Sequence, residues 1–433
     1  MKKFLFLFIA FSFSATIFAS TDQLSVAKNF VIALSSGNFG VAESMYNDAM
    51  KGALPISKTE AIWNQIEAQV GKFQSIEGVK ISNVGGYTVF VFTTKFANSF
   101  IDITVTLDQT SKVAGLFFKP STFGYTTPSY ANPSKFRIEK IELGKEWKVP
   151  AEITIPNGSG PFPAVVLIPG SGPENMNESI GPNRPFEDIA YGLSTDGIVV
   201  LRYDKSTYVY PEKFENGQIA VNLQNEYFKD AIDAVNFLSD QKYVSKVFLI
   251  GHSEGGYLAP EIAKMADVSG IILLAAPARS LQDVAIDQLE YLISISSDAT
   301  DISTMKELID QLEAINDHSL KDSQVVMGAP VSYYYELEKY DPIDVLKELK
   351  LPVLVMQGGK DYQVTKKDFD LFKSNFENDK NYTFTWYPDL DHLFMKWDGI
   401  PSPDEYLVES HVSATVIKDM FEWIVKICND TKG

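Results

Sequence analysis

Hydrophobic positions along this chain change their spacing at well-marked points. From Gln23 to Ser35 the apolar residues Leu24, Ala27, Phe30, Val31 and Leu34 recur at helical intervals, and Gly37 closes the segment. Shorter helical stretches follow around Phe39 to Met50 and Lys58 to Val70. The period then drops to two. Phe73 to Ile81, Tyr87 to Lys95, Phe100 to Leu107 and Val113 to Phe118 read as strands, broken by Gly85-Gly86 and by polar turns. Helices followed by an antiparallel sheet make a small α+β unit. Pro120, Pro128 and Pro133, set among Ser, Thr, Tyr and Gly, then mark residues 119–135 as a stiffened linker.

Beyond the linker the pattern is of another kind. Phe136 to Leu143 and Trp147 to Ile155 predict an antiparallel hairpin across Gly144-Lys145-Glu146. Phe162 to Ile168, Ile198 to Arg202, Val247 to Ile250, Ile271 to Ala275, Val353 to Met356 and Tyr382 to Trp386 follow. Most of these runs are short and nearly all apolar, and helix-length segments separate them, as expected of strands buried on both faces of a parallel sheet. The excursion from Ala276 to Lys350 is helical in pattern, with Val284, Ile286, Leu289, Leu292 and Ile293, then Met305, Leu308, Ile309, Leu312 and Ile315. The expected division is a leader at 1–19, a small α+β domain at 20–118, the linker at 119–135 and an α/β domain at 136–433, its insertion at about 276–350.

Composition narrows the setting. Met1-Lys2-Lys3, an apolar run from Phe4 to Phe18 and the small pair Ala19-Ser20 read as a secretory signal, cleaved after Ala19. A secreted, periplasmic or extracellular protein with no membrane anchor after cleavage is therefore expected. The formal charge of −18, more negative once Lys2 and Lys3 leave, excludes attraction to nucleic acid or to an anionic membrane. Cys428 is the only cysteine, so no internal disulfide can form, and it reads as an apolar filler of the last helical segment. No His-x-x-x-His or paired-Cys spacing suggests a metal, and neither metal nor other cofactor is expected. Self-association is left open.

The chemistry gathers around Val247-Phe248-Leu249-Ile250-Gly251-His252-Ser253-Glu254-Gly255-Gly256, an apolar run ending in Gly-x-Ser-x-Gly ahead of a helical segment. The pentapeptide alone is weak evidence; a strand before it and a helix after it strengthen the reading. A neutral serine is a poor nucleophile and needs a base, which in turn needs an orienting group. The chain holds four histidines. His252 adjoins the serine, where a sharp turn would direct its side chain away; His318 lies in the insertion, and His411 precedes an amphipathic helix. His392, in the loop Pro388-Asp389-Leu390-Asp391-His392 after the last strand, is the expected base. Asp361, ending Gln357-Gly358-Gly359-Lys360-Asp361, is the expected acid, ahead of Asp389 and Asp391.

Pro169-Gly170-Ser171-Gly172-Pro173 after the third strand of this region and Leu201-Arg202-Tyr203-Asp204-Lys205 after the fourth complete a set of motifs. With the order serine, acid, histidine, residues 136–433 resemble the α/β-hydrolases, and most their bacterial carboxylesterase branch. The first domain resembles the nuclear-transport-factor-like fold by element order. The α/β-hydrolase resemblance implies an eight-stranded, mostly parallel sheet with a helical cap after the sixth strand. It also implies a catalytic triad of Ser253, Asp361 and His392, with an oxyanion hole from the N–H groups of Glu254 and Ser171, or of Gly172 in place of Ser171. The expected activity is hydrolysis of small, fairly apolar carboxylic esters through an acyl-enzyme. A peptidase or amidase on the same scaffold, and a non-catalytic binding protein, are the alternatives.

Overall fold

A computed structural model of the chain describes residues 23–121 and 125–430; the leader expected at 1–19 lies outside the described residues. Helices Gln23–Ser35, Phe39–Ser44, Asp48–Ala53 and Ile56–Val70 precede an antiparallel sheet of β1 (Phe73–Val84), β2 (Tyr87–Phe96), β3 (Phe100–Leu107) and β4 (Val113–Pro120), in spatial order β1-β2-β3-β4. The helical stretch expected over 39–50 is broken in two. Asn47 leaves the helical conformation and its side chain accepts from the Met50 N–H, starting a new helix. Phe30, Val31 and Leu34 of the first helix share a core with Phe90, Phe92, Val105 and Leu107 of the sheet, and Trp397, from far along the chain, belongs to the same core.

The second sheet has eight strands: β5 (Phe136–Leu143), β6 (Val149–Pro156), β7 (Phe162–Ile168), β8 (Val199–Tyr203), β9 (Val244–His252), β10 (Ile271–Leu274), β11 (Val353–Gly358) and β12 (Tyr382–Tyr387). Their spatial order is β12-β11-β10-β9-β7-β8-β6-β5. β6 is antiparallel to both β5 and β8, and the other pairs are parallel. The hairpin strand begins at Val149 rather than Trp147, because the Trp147 ring turns aside to pack on Tyr210 and to receive the Lys213 ammonium 3.7 Å from its centre. Ala164 to Ile168 and Phe248 to Ile250 are fully buried, as strands covered on both faces must be. β8 lies on one side of β7 and β9 on the other, so the chain reverses its winding there. The crevice at the carboxyl ends of β7 and β9 is where such sheets bind ligands.

Helices Leu281–Ile295, Ala299–Asn316, Val331–Leu337 and Pro342–Glu348 form the insertion between β10 and β11. The last helix, Ala414–Asp430, packs Val416, Ile417, Met420, Trp423 and Ile424 into the main core; Cys428 near its end is half-buried against that core.

Candidate active site

β9 ends at His252 and helix Glu254–Met265 starts at Glu254, leaving Ser253 alone to make the turn. It does so at φ 52° and ψ −124°, backbone that a non-glycine residue adopts only under constraint. The constraint is crowding. A Cβ on Gly251 would collide with the Gly255 carbonyl, and one on Gly255 with the carbonyls of Ile168 and Pro169. The Ser253 N–H donates to the Leu274 carbonyl at 2.9 Å, tying the elbow to the end of β10.

Asp361 and His392, far apart in sequence, are brought together at the ends of β11 and β12: His392 Nδ1 lies 2.8 Å from Asp361 Oδ2, and both side chains are fully buried. The carboxylate also accepts from Gln357 Nε2 (2.9 Å) on Oδ2, and from the N–H groups of Gln363 (2.8 Å) and Val364 (2.9 Å) on Oδ1. With its acceptor sites filled, Asp361 cannot swing away from the imidazole. The two loops touch backbone to backbone, since a Cβ on Gly358 would meet the carbonyls of Leu390 and Asp391. His392 Nε2 is buried with no hydrogen-bond partner among the described residues. Asp389 is exposed. Asp391 is buried, but its carboxylate turns back to the N–H groups of Leu393 and Met395, both at 2.9 Å. Burial first, and the charge of Asp361 after it, push its pKa up to about 7.

The loop after β7 is held by buried charge. The Gly170 N–H donates to Glu178 Oε1 at 2.6 Å, so it is committed. The Gly170 carbonyl accepts from Lys205 Nζ (3.1 Å) and Tyr227 Oη (2.7 Å). The peptide bond that follows is planar, so clamping this carbonyl also aims the Ser171 N–H in the opposite direction. That N–H has no acceptor among the described residues. The Glu254 N–H opens a helix, where the helix itself supplies no acceptor. Lys205 is paired at 2.7 Å with Glu226, both fully buried.

His252 is turned from the cavity but not from the site. Its Nδ1 meets Glu178 Oε1 at 2.9 Å, its Nε2 meets the His392 carbonyl at 2.9 Å, and the two imidazole centres are 4.6 Å apart. Burial is the largest influence and pulls its pKa down, but the Glu178 carboxylate, the His392 carbonyl and the charge of Asp361 together outweigh it and the net shift is upward. One buried chain of contacts thus links the Gly170 loop, through Glu178 and His252, to the histidine loop.

A cavity of about 100 Å³ opens over the elbow, lined by Ser171, Gly172, Ser253 and Glu254 on one side and by Leu281, Val284, Ala285, Met327 and Tyr334 of the insertion on the other. Tyr333 donates to Glu254 Oε1 at 2.7 Å, fastening the insertion to the elbow helix. Burial and the neighbouring Glu226 raise Glu254 to about 7. His318 is exposed beside Glu338, and His411 is paired with Asp188 rather than with a triad residue. Glu178, Glu226 and Tyr227 escape sequence reasoning. Their neighbours in sequence are largely polar, as in Gln224-Asn225-Glu226 and Asn177-Glu178-Ser179, so no local pattern marks them as buried.

A model of the family described as serine aminopeptidase S33 matches residues 176–396, and one described as a protein of unknown function (DUF3887) matches residues 27–116. Over 420 residues the chain is 39% identical to esterase EstD of Thermotoga maritima, an alignment covering 97% of this chain and 99% of that protein. Among solved structures, Est1E from Butyrivibrio proteoclasticus is similar at 16% identity and a TM-score of 0.46, over 67% of this chain and 99% of that one. The acylaminoacyl peptidase of Pyrococcus horikoshii is similar at 12% identity and 0.45, over 80% of this chain and 55% of that one.

Proposed function

The chain belongs to the α/β-hydrolases, within the serine aminopeptidase S33 family, and from that premise we propose that it is a serine carboxylesterase acting on small, fairly apolar esters. The observation that carries this reading is the closed Asp361–His392 pair with Nε2 of the imidazole left unengaged, in a fold that presents Ser253 at its elbow. The name of the 39%-identical relative, an esterase, supports the same reaction class.

Ser253 Oγ attacks the ester carbonyl as His392 Nε2 takes its proton, and Asp361 holds the imidazole in the tautomer with hydrogen on Nδ1. Negative charge then gathers on the carbonyl oxygen, where the N–H groups of Glu254 and Ser171 receive it, with Gly172 as the alternative to Ser171. The proton passes from His392 to the departing alkoxide, leaving an acyl-Ser253 ester. Water, deprotonated by the same imidazole, attacks this ester and restores the hydroxyl. The apolar lining from Leu281, Val284, Ala285 and Met327 and the cavity of about 100 Å³ suit a short acyl or alkyl group.

Ser253→Ala is expected to lower p-nitrophenyl acetate turnover at least about 10⁴-fold while the fold is kept. Wild-type turnover in that variant would overturn the proposal. The family description favours a second reading, an aminopeptidase. Such an enzyme needs an acid to hold the substrate's free ammonium, and the carboxyl group of Glu254 is already engaged by Tyr333. Comparison of p-nitrophenyl acetate with aminoacyl p-nitroanilides separates the two: faster release from the anilides would favour the aminopeptidase.

A further inference from the structure

We propose that the N-terminal domain acts as an anchor for catalysis: through the strap of residues 397–411 it sets the position of the loops carrying His392 and Asp361. The inference rests on the triad assigned above, and it gives the domain a task within the same reaction.

The strap leaves the site directly. Five residues past the imidazole, the Trp397 N–H donates to the Asp389 carbonyl at 3.1 Å, so its backbone is fastened to the histidine loop. Its side chain points the other way, 9% exposed, and belongs to the core of the N-terminal domain; Leu407 and Val408 pack against the same core. One residue therefore joins the base's loop to a separate hydrophobic core.

The strap then runs along β1, the edge of the N-terminal sheet. The Glu409 N–H donates to the Val79 carbonyl at 2.8 Å, in a parallel bridge that adds a short stretch to the exposed edge. Lys80 pairs with Glu409 at 2.7 Å, and Lys28 with Asp404. Return contacts reach the acid. Gln363 Nε2 donates to Tyr406 Oη at 2.5 Å, while the Gln363 N–H holds Asp361 Oδ1 at 2.8 Å. Asn183 ties the strap to the α/β domain, donating to the carbonyls of Tyr406 (3.2 Å) and Val408 (3.0 Å) and accepting from the Ser410 N–H (2.9 Å). The packing leaves no slack at this junction, because a Cβ on Gly181 would strike the Tyr406 carbonyl and crowd that of Glu77.

Trp397, Tyr406 and Val408 touch no substrate; they are positioning residues. Their loss should move the triad loops rather than remove a binding contact, and a misplacement near 1 Å costs about 100-fold in rate. The test uses the full chain with p-nitrophenyl acetate. Trp397→Ala is expected to lower kcat about 10–100-fold with KM within about two-fold of wild type, and Trp397→Phe to recover most of kcat. Phe117→Ser, on the 64%-exposed position of β4 at the opposite edge of the same sheet, should leave kcat unchanged. Should Trp397→Ala not fold, Lys28→Ala/Lys80→Ala carries the test, with a loss of about three-fold in kcat at unchanged KM. Wild-type kcat in folded Trp397→Ala, or in the double lysine variant if that is the one measured, would overturn the anchor. Ester turnover that is absent from wild type, or that Ser253→Ala does not change, would remove the esterase reading and the anchor with it.

Discussion

Gly170 has no side chain, yet three buried polar groups hold its backbone: its N–H donates to Glu178, and its carbonyl accepts from Lys205 and Tyr227. The arrangement makes sense if the useful atom is the next one along, the Ser171 N–H, whose direction is locked to that carbonyl by the planar peptide. Tyr227→Phe removes one of the two clamps and introduces no charge. It should lower kcat for p-nitrophenyl acetate about ten-fold and leave KM nearly unchanged, a fraction of the 10²–10³ lost when an oxyanion donor is deleted outright. An equal rise in KM would instead mean that Tyr227 supports ground-state binding. Ser253, Asp361 and His392 could be proposed from the sequence because each ends an apolar run in a loop that a hydrolase sheet would place on one rim. Glu178 and His252 could not be read in this way. Their contacts join segments 74 residues apart, and no local pattern shows that a carboxylate will accept from both a loop amide and an imidazole.

At the level of elements, the sheets were legible and the connections between them were not. Strands such as Ala164 to Ile168 declare themselves by unbroken apolar runs, because both faces are covered. The segment from Trp397 to His411 has no period of two or 3.6 to read, and its path is decided by which core accepts Trp397 and which strand edge is open. The insertion was legible as helices but not in its docking. Helix Val331–Leu337 is held on the elbow helix by Tyr333 on Glu254 and by Tyr257 Oη on the Leu337 carbonyl (3.4 Å). Tyr333→Phe leaves a buried carboxyl without this donor and should cost about 1–3 kcal/mol, a fall of several degrees in Tm by calorimetry. Because Tyr333 and Tyr334 line the cavity, the variant should also raise KM more than it lowers kcat. A Tm within one degree of wild type would show that the cap is held elsewhere.

At the scale of the whole molecule, the buried carboxyl groups of Glu174, Glu254, Asp391 and Glu405 are shifted in one direction, and this sets how stability depends on pH. Glu174 is raised to about 8 by burial and by Glu178; Glu405 is raised to about 9 by burial and by Asp391. Asp391 and Glu254 are raised to about 7, burial again being the largest cause. In the unfolded chain these groups lose their protons near pH 4, whereas in the folded protein they keep them to pH 7–9. Between those limits the folded state binds more protons, so its stability falls as pH rises. The shifts of His252 and His411 are also upward, and their contribution is lost in the same direction. The chain should therefore melt higher at pH 5 than at pH 9, and its formal charge of −18 at pH 7 adds repulsion on the alkaline side. Glu405 isolates the effect: its Oε2 accepts from the Ser402 N–H at 3.2 Å, while Oε1 is buried without a partner among the described residues. Glu405→Gln keeps that acceptor and cannot ionise. Near pH 5 it should match wild type; by pH 9 it should be the more stable, by an amount on the order of a few kcal/mol. Melting curves of the two proteins taken at pH 5, 7 and 9 measure the divergence. Parallel curves would mean that Glu405 titrates as it does in the unfolded chain and that the strap, with Asp391 beside it, is open to water.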